Sequence, residues 1–464
     1  MRSSTVAASL LSICGAALGA PAPQPAAAPA PTAAPVLEER QLLSGILSAV
    51  ASGVNQALTA NNFGSILTAL ESAKPTASPT NVQDAVSKLS SIHNQAQPTN
   101  IYDYSAQLVA NGLISSTVSS LVESIGGVLT GENNMNNKNP NPPTTIYPKK
   151  NSSDAPYDQS ESVLRGAIYI PSTFNSRNSS GQQPIILMPG TGDTGYTTFI
   201  GNFIPLLQNG NQFNPVWLNI PGFLLNDAQT NSEFIAYAIN YINSITHKKV
   251  AVIAWSQGNI NTQWAFKYWP STRNVTTDHI AISPDYKGTV NANFVCPDGT
   301  PQQYLATSNY ITTLRKNNGD SAYVPTTTVY SGFFDEIVEP QQGTNASAFL
   351  NDARKVGVTN NEAQIICAGL PGGSFYTHEG MLYNPLSYAL AIDALTHDGP
   401  GQVSRVGTAE CANYIAQGLD LGDLLVTENS IPIAAAALVL YTPKTRTEPA
   451  IKSYALSPNA AQSS

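Results

Sequence analysis

The chain has 464 residues, of which 42% are hydrophobic and 11% charged, and its formal net charge is −8. This length allows a large buried core and more than one folding unit, and the apolar content excludes a chain that is disordered throughout. The negative charge, without a basic stripe that could follow phosphates, argues against a nucleic-acid partner.

The first residues have the composition of a secretory signal peptide. The stretch "MRSSTVAASLLSICGAALGA" combines a basic start, a short apolar core and small residues near its end, which predicts a signal peptide over 1–20. It is too short to span a membrane in the mature protein, so we expect a secreted, extracellular chain without a transmembrane segment. Sequons that begin at Asn151, Asn178, Asn274 and Asn345 are compatible with glycosylation in that route.

The region before residue 151 is predicted to lie outside the catalytic domain. Residues 21–40 are rich in proline and alanine and are predicted to be disordered. A helical extension is predicted over 41–130, followed by an Asn/Pro-rich linker over 131–150. Apolar residues at three- and four-residue spacing predict helices near 43–58, 63–73, 82–95 and 103–129.

The extension has two interpretations at this point. It is either a structural, folding-assisting part of the protein or a removable pro-segment, and a lid or inhibitor role stays open. Basic residues at Arg40 and at Lys149-Lys150 offer cleavage points for the second interpretation.

From about residue 155 onward, strand-like apolar runs alternate with helical patterns. The strand-like runs include "QPIILMPG", "NPVWLNIPG", "KVAVIAWS", "HIAISP", "TTTVYSG" and "QIICAG", and "EFIAYAINYI" and "PLSYALAIDAL" are helical patterns. This alternation predicts an α/β fold with a mostly parallel central sheet flanked by helices. In such sheets the reactive residues collect at the carboxyl ends of the strands.

The stretch "AWSQGN" places Ser256 between a predicted strand and a predicted helix. A nucleophilic serine occupies such a turn in the G-x-S-x-G elbow, whose glycines allow strand and helix to cross closely. Here Ala254 replaces the first glycine, whereas Gly258 is kept. The motif alone does not separate a nucleophile from a serine that caps a helix.

A nucleophilic serine needs a base, and the chain order Ser, acid, His leaves three histidines C-terminal to Ser256. His279 begins the strand-like run "HIAIS", at the end away from the reactive edge. His397 follows a helix, on the opposite face of the sheet. His378 falls in a glycine-rich loop between "QIICAG" and the following helix, and it is therefore the predicted base.

The acid and the oxyanion donors are also predicted from the rule that reactive residues collect at the carboxyl ends of strands. Asp335 and Asp285 both follow strand-like runs, and the residues alone favour Asp335 without excluding Asp285. The backbone N–H of Gln257 and Thr191, in the glycine-rich loop "ILMPGTGDTG", are the predicted oxyanion donors. That loop lacks the acidic ribose partner of a dinucleotide site.

Several of these motifs resemble the fungal lipase B family. In chain order they are "PIILMPGTGDTG", "NDAQTNSEF", "AWSQGNINTQW", "SPDYKGTV", "VPTTTVYSGFFDEIVEP" and "EPAIKSYA". The resemblance begins near residue 155, continues almost to the C-terminus and leaves the extension over 41–150 outside. It implies an α/β-hydrolase fold over 151–464 and a secreted serine lipase or carboxylesterase acting on lipid-like esters such as acylglycerols.

The resemblance also assigns roles to residues. It implies a triad of Ser256, Asp335 and His378, with Thr191 and Gln257 as oxyanion donors. Substrate-pocket positions then fall on Trp255, Asp285, Ile337 and Val338. A disulfide is implied between Cys367 and Cys411, whereas Cys296 has no counterpart in the family. The apolar segment 429–441 corresponds to a helix at the pocket entrance, so a half-exposed apolar rim is expected there.

These observations lead to one expected function and two alternatives. We expect an ester or lipid substrate, bound at a lipid–water interface by a monomer that needs no metal and no organic cofactor. A polyester or amide hydrolase is an alternative within the enzyme class. The alternative from another class is a non-catalytic secreted binding module on the same fold.

Overall fold

The computed structural model describes residues 77–114, 131–174, 182–210, 212–295, 303, 305–441, 443, 445 and 447–456. Several predicted features lie outside these residues: the signal peptide over 1–20, the Pro/Ala segment over 21–40, the helices near 43–58 and 63–73, Asn178 and Cys296.

A seven-stranded sheet forms the centre of the protein, with the spatial order β1-β3-β2-β4-β5-β6-β7. Its strands are β1 (Ile168–Tyr169), β2 (Gln183–Met188), β3 (Phe213–Leu218), β4 (Val250–Trp255), β5 (Thr276–Ile282), β6 (Thr326–Tyr330) and β7 (Val358–Glu362). Strand β1 is antiparallel to β3, and the other neighbours are parallel. The predicted α/β fold with a mostly parallel sheet is confirmed.

Fifteen α-helices precede, connect or follow these strands in the described residues. They are α1 (Val82–Ser91), α2 (Ile101–Ala110), α3 (Glu161–Gly166), α4 (Gly195–Phe199), α5 (Phe203–Gln208), α6 (Ala228–Thr246), α7 (Gln257–Tyr268), α8 (Ala292–Val295), α9 (Asn309–Arg315), α10 (Ala363–Ile366), α11 (Pro385–Thr396), α12 (Val403–Val406), α13 (Leu421–Glu428), α14 (Ser430–Leu440) and α15 (Ser453–Leu456). One π-helical turn, Ile92–Ala96, follows α1, and short 3₁₀ turns include Gly131–Asn133, Pro270–Val275, Gly343–Asn345, Pro371–Gly373, Glu379–Leu382 and Ala409–Ala412.

Alternate residues of each central strand face two separate apolar cores. In β2, Ile185 and Leu187 pack into the cluster that contains α11, whereas Ile186 and Met188 pack into the cluster that contains α6 and α7. Burial on both faces explains why these strands read as continuous apolar runs rather than as alternating patterns. The carboxyl ends of β4, β5 and β6 therefore meet at one edge of a rigid layer.

Two boundaries in the sequence prediction are wrong. The run "QIICAG" is not a strand: β7 precedes it at Val358–Glu362, and the run itself forms the short helix α10. Strand β7 has no apolar run because its side chains make polar contacts with β6; the Asn361 amide, for example, donates to the Thr328 carbonyl at 2.9 Å. Of the helix predicted over 103–129, the described part ends at Ala110, before Gly112, whose φ of +66° favours glycine, and the part over 115–129 lies outside the described residues.

The N-terminal helices and the predicted linker are attached to the sheet domain. Residues of α1 and α2, among them Leu89 and Leu108, belong to the same core cluster as α11 and α14. In the linker, the Glu132 carbonyl accepts hydrogen bonds from Trp217 Nε1 at 2.8 Å and from Asn219 Nδ2 at 2.9 Å. The described parts of 77–150 thus share a core and hydrogen bonds with the rest of the chain.

The C-terminal part contains the implied disulfide and an apolar helical stretch. Cys367 and Cys411 are bonded, which confirms that pairing. Among the described residues, Leu421–Leu438 is long and apolar enough to cross a membrane, but 67% of it is buried inside the fold, as in a core helix. Helix α14 is covered by α2, and in the described part of the expected half-exposed rim at 429–441, residues 429–438 are buried apart from the half-buried Ala436.

Candidate active site

Ser256 occupies a sharp turn between β4 and α7, as the elbow motif predicts. Its φ of 53° and ψ of −132° are uncommon for a residue with a side chain and place it at the N-terminus of α7. Gly258 is required, because a Cβ there would lie 2.4 Å from the Pro189 carbonyl oxygen. Ala254 is fully buried in the core beneath α6 and α7, so its methyl group is accommodated in place of the usual glycine.

Asn259 stabilises this turn, a role that the sequence did not reveal. Its side-chain amide donates to the carbonyls of Ser256 at 3.0 Å and Ile282 at 3.1 Å. Its Oδ1 lies 3.2 Å from Nε2 of His279. The residue therefore links the turn to the end of β5. A glycine at position 259 would make none of these three contacts.

His378 and Asp335 form a buried pair at the carboxyl edge of the sheet. Nδ1 of His378 lies 2.9 Å from Oδ2 and 3.0 Å from Oδ1 of Asp335. The Asp335 carboxylate also accepts hydrogen bonds from the backbone N–H groups of Val338 at 2.7 Å and Ile337 at 3.2 Å. These contacts fix the carboxylate and make Nδ1 the protonated nitrogen, so that Nε2 of His378 is left as the basic nitrogen.

The backbone of His378 is held on both sides. Its N–H donates to Glu336 Oε2 at 3.0 Å. Its carbonyl accepts hydrogen bonds from the Ser283 hydroxyl at 2.9 Å and from Trp255 Nε1 at 3.2 Å. Although the loop is rich in glycine, the position of this imidazole is thus determined by residues from three strand ends.

Burial and the surrounding negative charges have opposite effects on the pKa of His378. Burial disfavours the imidazolium, but Asp335, through its charge and hydrogen bond, and the acidic Glu379 and Asp285 raise the pKa above the usual 6.5. Burial raises the pKa of Asp285 itself to about 7. Asp285 lines the same cavity but does not contact Nδ1, so the geometry favours Asp335 as the acid.

Ser256, His378, Asp285 and Thr191 face one small cavity of about 30 Å³. Its other lining residues are Ile101, Trp255, Thr289, Val295, Ile337, Val338, Ile431 and Ala434. Within the described part of the chain, Nε2 of His378 has no hydrogen-bond partner, although it is buried. A basic nitrogen without a partner, in the same cavity as a serine, is arranged for general-base chemistry.

The two predicted oxyanion donors lie next to each other. The Thr191 hydroxyl donates to Gln257 Oε1 at 2.6 Å, and Gln257 Nε2 donates to the Leu224 carbonyl at 3.1 Å. The backbone N–H of Gln257 belongs to the first turn of α7, where N–H groups have no intrahelical acceptor. Because the Thr191 hydroxyl already has an acceptor, its backbone N–H is the better candidate for a second donor.

The other two C-terminal histidines are separate from this cavity. His279 lies in the middle of β5 rather than at its start, and burial lowers its pKa to about 3, so that it is neutral. His397 follows α11 at the opposite edge of the sheet, where it pairs with Asp393 at 3.2 Å. Among the described residues, no group of three or more His, Cys, Asp or Glu side chains is arranged to hold a metal ion.

A buried carboxyl cluster beside the site was not found from the sequence. The Tyr104 hydroxyl donates to Glu379 Oε1 at 2.9 Å, and the Tyr383 hydroxyl donates to Glu428 Oε1 at 2.9 Å. Burial and the proximity of Glu379 raise the pKa of both Glu428 and Glu336 well above the usual range. No motif indicates this cluster, because Tyr104 and Glu379 are 275 positions apart in the sequence.

Comparison with known proteins adds two relatives. No family model matches the chain. It is 33% identical over 312 residues to Lipase B of Pseudozyma antarctica, a match that covers 65% of this chain and 87% of that protein. The crystal structure of Aspergillus fumigatus lipase B has a TM-score of 0.80 and 44% identity, and the match covers 89% of this chain and 99% of that one. The structural likeness therefore extends N-terminal to residue 151, further than the sequence motifs indicated.

Proposed function

Because the chain belongs to the lipase B family of α/β-hydrolases, and is thus a lipase or esterase acting on carboxylic esters, we propose that it is a secreted serine lipase. Its catalytic residues in this proposal are Ser256, His378 and Asp335. The observation that carries the assignment is the buried contact of 2.9 Å between Nδ1 of His378 and Oδ2 of Asp335. This contact leaves Nε2 of His378 as the basic nitrogen, and His378 lines the same cavity as Ser256.

The geometry supports acyl transfer through a covalent intermediate. The Ser256 oxygen attacks the ester carbonyl carbon, and Nε2 of His378 takes the hydroxyl proton. Asp335 holds the Nδ1–H tautomer and stabilises the imidazolium that forms. The backbone N–H groups of Gln257 and Thr191 stabilise the oxyanion.

The second half of the reaction uses the same groups. His378 returns its proton to the departing alcohol, which leaves an acyl group on Ser256. Water, or another alcohol, then gives a proton to His378 and attacks the acyl carbon. The bond between the acyl carbon and the Ser256 oxygen breaks, and His378 returns its proton to that oxygen. The product is the carboxylic acid when water attacks and a new ester when an alcohol attacks.

The lining of the cavity supports a lipid-like substrate. Its walls are mostly apolar side chains, among them Val295, Ile337, Val338 and Ile431. We propose acylglycerol-like esters on this basis, with Trp255 and Asp285 as further pocket residues. Burial raises the pKa of Asp285, which favours its neutral form. A neutral carboxyl group is compatible with the mostly apolar wall of this cavity.

Secretion and domain organisation are part of the same proposal. We propose a signal peptide over 1–20, a disordered segment over 21–40, a helical extension over 41–130, a linker over 131–150, a catalytic domain over 151–464 and a monomer. Asn151, Asn274 and Asn345 are exposed, as glycosylation in the secretory route requires. A disulfide such as Cys367–Cys411 is typical of proteins from that route.

Hydrolysis of p-nitrophenyl esters of graded chain length tests the function. We expect the full chain to release p-nitrophenol and Ser256→Ala to lose at least ~10³-fold in rate, as in other triads. Wild-type rates in the Ser256→Ala variant would contradict the proposal. Inactivity of the wild-type chain on every ester would instead favour a non-catalytic binding module.

A further inference from the structure

A second cavity lies beside the proposed catalytic acid, Asp335, which is one of its lining residues. It has a volume of about 330 Å³, whereas the cavity of Ser256 has about 30 Å³. Its lining comes from the N-terminal helices and from the loop over 333–339, and it includes the exposed residues Gln97 and Phe333. The cavity is therefore open to solvent, and its volume is typical of sites for small molecules.

The walls of this second cavity are largely aromatic. Five rings line it, those of His93, Tyr104, Phe294, Phe333 and Phe375. The ring centroids of His93 and Phe375 lie 5.3 Å apart, and those of Tyr104 and Phe294 lie 6.3 Å apart. Burial lowers the pKa of His93, so this ring is neutral at pH 7 and adds no positive charge. Such walls accommodate apolar groups and, through the faces of the rings, cations.

The charged part of the lining is acidic. Glu336 and Glu339 line the cavity together with Asp335, and its lining residues include no lysine or arginine. In the described part of the chain, neither glutamate forms an ion pair. Oε2 of Glu336 accepts the backbone N–H of His378 at 3.0 Å, whereas its Oε1 is buried and has no hydrogen-bond partner among the described residues. A ligand with N–H donors would satisfy this oxygen.

The pKa values of the two glutamates agree with an acidic, partly desolvated cavity. Burial, Glu379 and Asp335 raise the pKa of Glu336 well above its usual range. Burial and Asp335 raise the pKa of Glu339 to about 7. Asp335 itself is paired with His378. A cation next to the two glutamates would favour their ionised forms and would be attracted by them in turn.

We propose that this second cavity binds a primary alkylammonium ion, the protonated form of a small aliphatic amine. The ammonium N–H groups donate to Oε1 of Glu336 and to the carboxylate of Glu339, and the alkyl chain packs against the aromatic walls. A quaternary ammonium ion has the same charge but no N–H donor, so it satisfies only part of this lining. The site does not require Ser256 to be the nucleophile, and it therefore stands apart from the proposed function.

Binding of n-butylammonium to the full chain tests the site, with 1-butanol as its neutral analogue. Calorimetric titration in an amine-free buffer at pH 8.5, above the pKa of Glu339, gives the dissociation constants. We expect n-butylammonium to bind roughly tenfold more tightly than 1-butanol, because hydrogen bonds to charged groups are the stronger ones, and tetramethylammonium to lie between them. Equal dissociation constants for n-butylammonium and 1-butanol would overturn the site. An equal affinity for tetramethylammonium and n-butylammonium would overturn the assignment to a primary ammonium ion.

Glu339→Gln and Asp398→Asn form a matched pair of variants. Glu339→Gln removes one carboxylate from the cavity and keeps an acceptor for the backbone N–H of Gln341, which donates to Glu339 Oε2 at 3.1 Å. Asp398→Asn removes the same charge at the opposite edge of the sheet. We expect the first variant to bind n-butylammonium roughly fivefold more weakly and the second to stay within about twofold of wild type. Equal weakening by both would overturn the site, because the cause would then be the net charge of the protein.

His93→Lys keeps the inference testable if Glu339→Gln is unstable. Since His93 lines the cavity, a lysine there places an ammonium group beside the glutamates and competes with the ligand. We expect n-butylammonium to bind this variant roughly tenfold more weakly than wild type, and an unchanged affinity would overturn the site. Ester hydrolysis by a wild-type chain that does not bind n-butylammonium would overturn the site alone. Binding of n-butylammonium by a wild-type chain that hydrolyses no ester would support the site and overturn only the proposed function.

Discussion

Nδ1 of His378 lies 2.9 Å from Oδ2 of Asp335, and the side chains of both residues are buried. The backbone N–H groups of Ile337 and Val338 hold the carboxylate in this position. The pair therefore has a fixed tautomer and a fixed orientation before any substrate arrives. Its neighbour Asp285 lies in the same cavity without this contact, and the difference between the two aspartates is open to measurement.

Asp335→Asn should remove most of the activity without changing the shape of the site. The amide no longer stabilises the imidazolium and favours the wrong tautomer, so we expect kcat to fall by ~10³- to 10⁴-fold. Asp285→Asn is the matched control, since burial already favours its neutral form, and we expect less than about a tenfold loss. Rates of p-nitrophenyl ester hydrolysis show which aspartate is the catalytic acid. A larger fall in kcat in Asp285→Asn than in Asp335→Asn would reverse the assignment.

The pH dependence of kcat/KM should report the raised pKa of His378. The base must be neutral to accept a proton, so activity increases as pH rises through its pKa. Since Asp335, Glu379 and Asp285 raise that pKa above 6.5, the half-maximal point should lie above pH 6.5. Asp285 becomes charged only as pH rises through its own pKa of about 7, so Asp285→Asn removes a negative charge that is present above that pH and should move the half-maximal point to lower pH. A shift to higher pH would contradict this electrostatic explanation.

Glu428→Gln should make the protein more tolerant of alkaline pH. Burial and Glu379 raise the pKa of Glu428 in the folded state, so this group stabilises the fold fully below its unfolded pKa. That contribution is lost as pH rises through the folded pKa. Glutamine keeps a neutral acceptor for Tyr383 and has no proton to lose.

Thermal unfolding at pH 5, 7 and 9 tests this prediction for Glu428. We expect the Tm of wild type to decrease more between pH 5 and pH 9 than the Tm of Glu428→Gln. The difference in stability between the two proteins should be larger at pH 9 than at pH 5, because the folded-state pKa of Glu428 is raised. Parallel Tm curves across the three pH values would contradict it.

Asn259→Ala should destabilise the turn that carries Ser256. The substitution removes one of two donors to the carbonyls of Ser256 and Ile282, which keep their backbone N–H donors. It also leaves Nε2 of His279 unpaired, and an unpaired buried group costs ~1–3 kcal/mol. We expect a Tm decrease of several degrees and a lower kcat. Thermal unfolding and ester hydrolysis measure the two effects, and an unchanged Tm would show that Asn259 does not stabilise the turn.

Much of the fold was predictable because the central strands are buried on both faces. Their apolar runs identified β2 to β6, and the rule of carboxyl ends led from these strands to Ser256 and to the pair Asp335 and Asp285, which it did not separate. His378 was predicted from the run "QIICAG", which is not a strand. The position of β7 was not predictable, since its pairing with β6 depends on polar side chains such as Asn361. The membership in the lipase B family, which the motifs indicated, is confirmed by the two relatives.

The missed parts of the site have a common physical cause. Asn259 has contacts with His279 and Ile282, which are distant in sequence and carry no motif of their own. The position of Ile101 in the catalytic cavity depends on how α2 packs against α14. Periodicity predicted that 82–95 is helical, but it did not predict what such a helix would cover.

The central claim is that Ser256 is the nucleophile of a serine lipase. Peptide mass mapping of the full chain after treatment with a fluorophosphonate tests it most directly, with Ser256→Ala as the comparison. The account predicts one adduct, on the peptide that contains Ser256, together with loss of ester hydrolysis, and no adduct in Ser256→Ala. An adduct on another residue that abolishes activity, or full activity in Ser256→Ala, would contradict it.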